Sequence, residues 1–98
     1  MFARVSAYRL SPGGDPEAAI KSFANFSDPI RQLEGNQGLM LLIDRETNTA
    51  LTITFWETQE RLHSSAEQAS QLRRLAASIA NVSIEDVKNY EIAIEIRA

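Results

Sequence analysis

Ninety-eight residues, 44% hydrophobic and 23% charged, describe one folded domain and exclude disorder, collagen-like repeats and low complexity. Ten Lys and Arg against thirteen Asp and Glu give a formal charge of −3, and the basic residues are scattered, so no nucleic-acid footprint is present. With no Cys and one His, the chain excludes disulfides, thiolate nucleophiles, Fe–S clusters, thiolate zinc sites and any metal site needing two imidazoles.

The N-terminal segment alternates and carries Arg4 and Arg9, so it lacks the apolar run of a signal peptide. The strongest apolar stretch, Leu39–Ile43, is far shorter than the roughly 20 residues of a membrane span. A cytoplasmic protein with no membrane partner is the expectation.

Phe2 to Leu10 alternates, with Arg4, Ser6 and Tyr8 against Ala3, Val5 and Ala7, which predicts a strand. SPGGDP (11–16) stops it, and Asp15, Pro16 and Glu17 form a helix start. Ala19, Ile20, Phe23, Phe26 or Ser27, Ile30 and Leu33 then recur at helical spacing. Asp28-Pro29 interrupts that stripe and predicts a kink, or a second short helix capped by Ser27 or Asp28. Gly35 and Gly38 read as helix-exit glycines.

Leu39–Asp44 and Ala50–Trp56 read as strands joined by the polar turn Arg45–Asn48, a β-hairpin. Thr58 caps a long helix carrying Leu62, Ala66, Ala69, Leu72, Ala76 and Ile79, with a break at Ser64-Ser65 and an end at Asn81–Ser83. Tyr90 to Ile96 alternates as a last strand.

The order β-α-β-β-α-β predicts an α+β, ferredoxin-like sandwich, an antiparallel sheet with helices on one face. The first and third strands are expected at its centre as an adjacent, parallel pair. If their apolar halves coincide, Ser6, Tyr8, Thr52, Thr54 and Trp56 share the other surface. That surface is either the wetter face of a one-sided sheet or a pocket with hydroxyls to orient a ligand and Trp56 as an aromatic wall.

His63, the single imidazole, follows Leu62 at the edge of the helical stripe and is the candidate base, its ordinary pKa near 6.5 suiting proton abstraction. No second His or carboxylate cluster points to a metal, and no glycine pattern matches a phosphate loop. Arg73-Arg74, with Arg61 nearby, reads as a solvated helix face.

The segment GNQGLMLLIDRETNTALTITFWETQERLH (35–63) resembles the antibiotic biosynthesis monooxygenase family, a branch of the dimeric α+β barrels. The matching features are the glycine pair, the Asp closing an apolar strand, the polar turn and the I-T-x-W-E-[ST] motif at Ile53–Thr58. The resemblance implies one dimeric α+β barrel domain over residues 1–98, a homodimer through the sheet face and a pocket between sheet and helices. It also implies a small hydrophobic or aromatic ligand and cofactor-independent oxidation of a phenolic or polyketide-like substrate by dioxygen, with no cofactor and no metal. The candidate catalytic residues are His63 and Tyr8, and the candidate substrate-binding residues are Ser6, Thr52, Thr54 and Trp56.

Departures from the family pattern matter as much. Where haem-degrading members carry an Asn, a second Trp and a haem-binding His, this chain has Ser6, Ser64 or Ser65, and Leu75 or Ala76, which argues against haem chemistry. Where quinone-forming members carry an Asn and a Tyr, it has Thr52 and Leu62. A non-catalytic, ligand-binding or regulatory dimer is the alternative from another class. A chain of this size buries only about 60–65% of its unfolded surface, so a bare sheet face including parts of Leu39–Ile43 and Tyr90–Ile96 is expected to be covered by a second copy.

Overall fold

Local signals place most elements of the computed structural model, which describes residues 1–98. Strand β1 (Phe2–Leu10) is followed by helix α1 (Pro16–Asn25). Asp15 caps α1 by accepting the Glu17 N–H at 3.0 Å, and Pro16 sits at the helix start, where a missing N–H leaves nothing unpaired. A short helix α2 (Ser27–Arg31) follows at once. The break falls where Pro29 has no N–H to give the Asn25 carbonyl. Its junction residue is Phe26, however, and neither Ser27 nor Asp28 caps α2; the Ser27 hydroxyl donates backwards to the Ala24 carbonyl at 2.7 Å.

Strands β2 (Asn36–Asp44) and β3 (Thr49–Trp56) form the predicted hairpin. The Asp44 carboxylate accepts the Glu46 and Thr47 N–H groups at 3.0 and 3.2 Å, and Asn48 takes a left-handed φ of 58°. β2 begins before the apolar run because a register shift at Asn36–Gly38 lets the ladder continue. There the Asn36 side chain accepts the Gly38 N–H at 3.0 Å and donates to the Phe55 carbonyl at 3.3 Å. Gly38 therefore belongs to a bulge inside a strand and is not a helix-exit glycine.

Helix α3 (Gln59–Ser64) starts at Thr58, whose hydroxyl accepts the Arg61 N–H at 3.1 Å, and Ser65 joins it to α4 (Ala66–Ala80). Asn81, at φ 57°, ends α4. Of the predicted stripe, Leu62, Ala69 and Ala76 are buried, whereas Ala66 and Ile79 face outwards and Ala77 enters the core instead.

The last strand, β4, is Val82–Glu91, which corrects the expectation of Tyr90–Ile96. Two physical reasons account for the error. Ala7 pairs with Asp86 but Tyr8 with Ile84, so Glu85 is an extra residue that breaks the period-two pattern. The ladder also runs out, since the Ile92 N–H already reaches the Met1 carbonyl at 2.9 Å. Ile94 and Ile96, which alternate well, are 79% and 89% exposed because β1 has no residue left to pair with them.

The sheet order is β2-β3-β1-β4, antiparallel throughout. β1 and β3 are the central neighbours, but they run antiparallel and not parallel. The α1–α2 crossover returns the chain so that β2 runs with β1, and the hairpin then reverses it. The register sets Arg4 opposite Thr54 and Ser6 opposite Thr52. These residues face the helices: the Tyr8 ring lies 5.0 Å from Phe23 of α1, and Arg4 bonds to Leu62 of α3.

The opposite face, with Val5, Ile53, Phe55 and Leu51, has no helix over it, and Leu42 and Tyr90 there are 43% and 50% exposed. The helices thus cover the side that carries the hydroxyls and the buried Tyr8, Leu10 and Trp56, and leave a second apolar surface bare. Only 14 of 98 residues are buried, so the core within one chain is thin.

Gly35, at φ 87°, lies where the chain enters β2, and a Cβ there would run into the Arg61 side chain on α3. Gly35→Ala is expected to cost about 2 kcal/mol or more through φ strain and collision together, read as a lower denaturation midpoint in urea.

Candidate functional site

Between the central strands and the helices lies a cavity of about 200 Å³. Its origin is the side chains that meet there. Ser6, Thr52 and Thr54 on the sheet, and Ala24, Ala69 and Ala76 on the helices, are too small to fill the gap. Phe23, Phe26, Ile30, Leu39, Leu41 and Leu72 supply apolar walls. The hydroxyls make a polar line along one side of a largely apolar space, the usual character of a small-molecule site.

Tyr8 is the best-organised group in that line. Its hydroxyl is 3.1 Å from the Thr52 Oγ1, and its ring packs on Phe23. Burial pushes the phenol above its ordinary value of 10.0, against hydrogen bonds from Thr52 and Ser6 and the nearby Arg73 cation. At neutral pH Tyr8 is a neutral hydrogen-bonding group. Arg4 and Arg73 also line the cavity; burial, followed by the neighbouring Arg73 charge, lowers Arg4 to about 10.

Comparison with solved structures finds this arrangement of elements repeatedly. SnoaB, a cofactor-independent oxygenase from Streptomyces nogalater, aligns over 99% of this chain and 97% of its own at 16% identity and a TM-score of 0.74. A candidate antibiotic biosynthesis monooxygenase from Deinococcus radiodurans aligns over 100% and 98% at 17% identity and a TM-score of 0.70. The fold is that of the antibiotic biosynthesis monooxygenases. The haem degrader MhuD of Mycobacterium tuberculosis shares this monooxygenase fold, over 99% of this chain and 100% of its own at 20% identity and a TM-score of 0.73.

No family model matches the chain. In sequence it is 31% identical over 64 residues to the uncharacterized protein Rv2557 of Mycobacterium tuberculosis, a stretch covering 65% of this chain. The match spans 28% of that relative's length.

Within this monooxygenase fold, Ser6, Tyr8, Thr52 and Thr54 come together on the cavity wall. Trp56 shares their face and is fully buried, but it stands behind the wall. Its Nε1 donates to the Thr54 Oγ1 at 2.9 Å and its ring lies under Arg4. His63 is exposed on α3 and does not line the cavity. Its neighbour Leu62 takes the inward position, and consecutive helical residues point in different directions.

Sequence reasoning missed both arginines. Arg4 was legible as a member of the Ser6–Tyr8 face, since strand alternation already places it there. Arg73 was set aside with Arg74 as solvated surface, and that reading is wrong for Arg73: it lies one residue after Leu72 and four after Ala69, on the α4 face that lines the cavity. No member of the apolar stripe hinted that a cation shares this face.

The raised phenol gives a measurable signature. Because the folded pKa exceeds the unfolded one, the stability held by neutral Tyr8 is intact below about pH 10 and is lost as pH rises through the folded value. Ultraviolet titration is expected to show a tyrosine ionising above 10.0, and Tyr8→Phe is expected to remove that late phase.

Proposed function

We propose that the chain is a cofactor-independent monooxygenase acting on a small aromatic or polyketide-like substrate. The observation that carries this reading is the largely apolar cavity with its line of hydroxyls, Ser6, Tyr8, Thr52 and Thr54, inside a fold shared with a protein described as a cofactor-independent oxygenase. Pockets for drug-sized ligands run to about 300–1,000 Å³, so the smaller cavity here suits a compact ring system.

The chemistry belongs to the substrate. An ionised phenol or anthrone is electron-rich enough to reduce dioxygen directly. The ring CH₂ of an anthrone, or the ring C–H opposite a phenol oxygen, is then converted to C=O. One oxygen atom enters the product and the other leaves as water with two hydrogens, which come from the CH₂ or from the C–H and O–H respectively. Substrate oxidation and dioxygen reduction balance, and no external reductant is consumed. The protein's part is to exclude water and to donate hydrogen bonds to the substrate oxygen where negative charge develops. Tyr8, kept neutral by burial, is the principal donor, with Ser6, Thr52 and Thr54 fixing orientation and Trp56 buttressing Thr54. The exposed His63 is not the base; an already acidic substrate gives up its proton to solvent before it enters the cavity and binds as the anion.

A binding role without turnover is the second reading, and a specific observation favours it: no Asp, Glu or His lines the cavity. Aerobic and anaerobic incubation with a panel of anthrones and hydroquinones separates the two. Oxygen-dependent growth of quinone absorbance above buffer is expected, and its absence across the panel would leave the binding role. Tyr8→Phe is expected to lower the rate at least tenfold, whereas His63→Ala leaves it unchanged.

The same proposal includes a homodimer formed through the bare sheet face. Leu42, Leu51, Ile53, Phe55 and Tyr90 make a contiguous apolar surface with no helix over it, the character of an interaction face. Leu51→Glu is expected to shift sedimentation equilibrium from dimer to monomer. A wild-type chain that sediments as a monomer at micromolar concentration would contradict the pairing.

A further inference from the structure

Two cations of the cavity wall play no part in the reaction as written. Arg4 arrives from β1 and Arg73 from α4, and both line the cavity. Arg4 is 4% exposed. Its Nη2 donates to the Leu62 carbonyl at 2.5 Å, and its guanidinium carbon lies 5.3 Å from the Trp56 ring centroid. The head group is therefore pinned between α3 and the indole. Its Nη1 is buried and has no acceptor.

Neither arginine joins any of the five ion pairs of the chain, and no carboxylate lines the cavity. This is notable in a chain whose acidic residues outnumber its basic ones. Buried charges are ordinarily paired. Burial lowers both guanidiniums, and Arg73 lowers Arg4 further by repulsion. The Leu62 carbonyl also accepts the Ser65 hydroxyl at 3.0 Å, so it keeps a partner without Arg4, and the structural contacts of Arg4 leave its Nη1 unused.

We infer that Arg4 and Arg73 together form an anion site that binds the carboxylate of an aromatic carboxylic acid, with the ring against Phe23, Ile30 and Leu41. Arg4 Nη1 supplies one donor and the Arg73 guanidinium the other. A carboxylate is ionised at neutral pH and offers two acceptor oxygens in the plane that guanidinium groups match, whereas a phenolic group offers a single oxygen that cannot match that fork bidentately. The inference rests on reading this cavity as the substrate site and names the substrate class: an acid, its charged group held away from the ring carbon that is oxidised.

Isothermal titration with 2-naphthoate and its neutral isostere 2-naphthamide tests the site without requiring turnover. The acid is expected to bind at least tenfold more tightly than the amide. Arg73→Gln is expected to abolish that preference, and Arg4→Met likewise. Thermal melting adds a readout that a structural role would move the other way: Arg4→Met removes an unpaired buried charge and is expected to melt no lower than the parent.

Equal affinity for acid and amide, no measurable binding of naphthoate, or an unchanged preference in Arg73→Gln would each overturn the inference. A large drop in melting temperature for Arg4→Met, with Arg73→Gln still selective, would do the same by making Arg4 structural. Selective naphthoate binding with no oxygen-dependent turnover would instead leave the anion site standing and remove the monooxygenase. Turnover of neutral phenols without preference for acids would do the reverse.

Discussion

Pairing Arg4 with Thr54 and Ser6 with Thr52 in the β1–β3 ladder commits both central strands to one division of faces. Arg4, Ser6, Thr52 and Thr54 then look towards the helices together with Tyr8, Leu10 and Trp56, while Val5, Leu51, Ile53 and Phe55 look away. The sheet thus carries apolar side chains on both faces, whereas a one-sided sheet keeps one face polar and solvated. Two features follow from this division. Short hydroxyl side chains meeting helical alanines leave a cavity where a packed core would otherwise lie. The hydrophobic side chains on the far face form a surface that a second molecule can cover. Site and bare face are thus two sides of one register, and neither can be altered by a strand slip without exchanging the other.

Electrostatically the cavity is unlike the rest of the molecule. The surface carries exposed ion pairs such as Arg9–Glu85 and Arg45–Glu17, which are worth little individually. Arg4 and Arg73 sit in apolar surroundings with no such partner. A fold selected for stability alone would place a carboxylate beside them or replace them with aliphatic residues. Their presence in this position is the kind of local conflict found at functional sites, at the expense of stability.

Much of the architecture was legible because strong local signals agreed with it. The Asp15–Pro16 start, the Thr58 cap, the hairpin at Arg45–Asn48 and the hydroxyl face were all present in spacing and residue type. The errors share a physical origin. The direction of β3 relative to β1 is set by a crossover followed by a hairpin, a property of connectivity that face alternation does not encode. β4 was misplaced because Glu85 interrupts its period, while Ile92 to Ile96 keep a regular alternation without a neighbour to pair with. His63 drew attention as the single imidazole, yet its helical angle turns it outwards. Arg4 and Arg73 were overlooked because a cation on an inward face runs against the usual pattern, and that exception is where the cavity acquires its charge.

The bulge at Glu85 also bears on how this chain tolerates change over descent. Before it, Val82 and Ile84 face the helices; after it, Val87 and Asn89 do, and Tyr90 joins the apolar face beside Ala3. The Glu85 side chain itself makes only exposed contacts, a pair with Arg9 and a hydrogen bond from the Ser83 hydroxyl at 3.3 Å. What the position supplies is one step of chain. A gain or loss of a residue in most surface segments lengthens a loop, but here it would reverse which side of the sheet the distal half of β4 presents. Position 85 is in effect a counting device: the presence of a residue there sets the face.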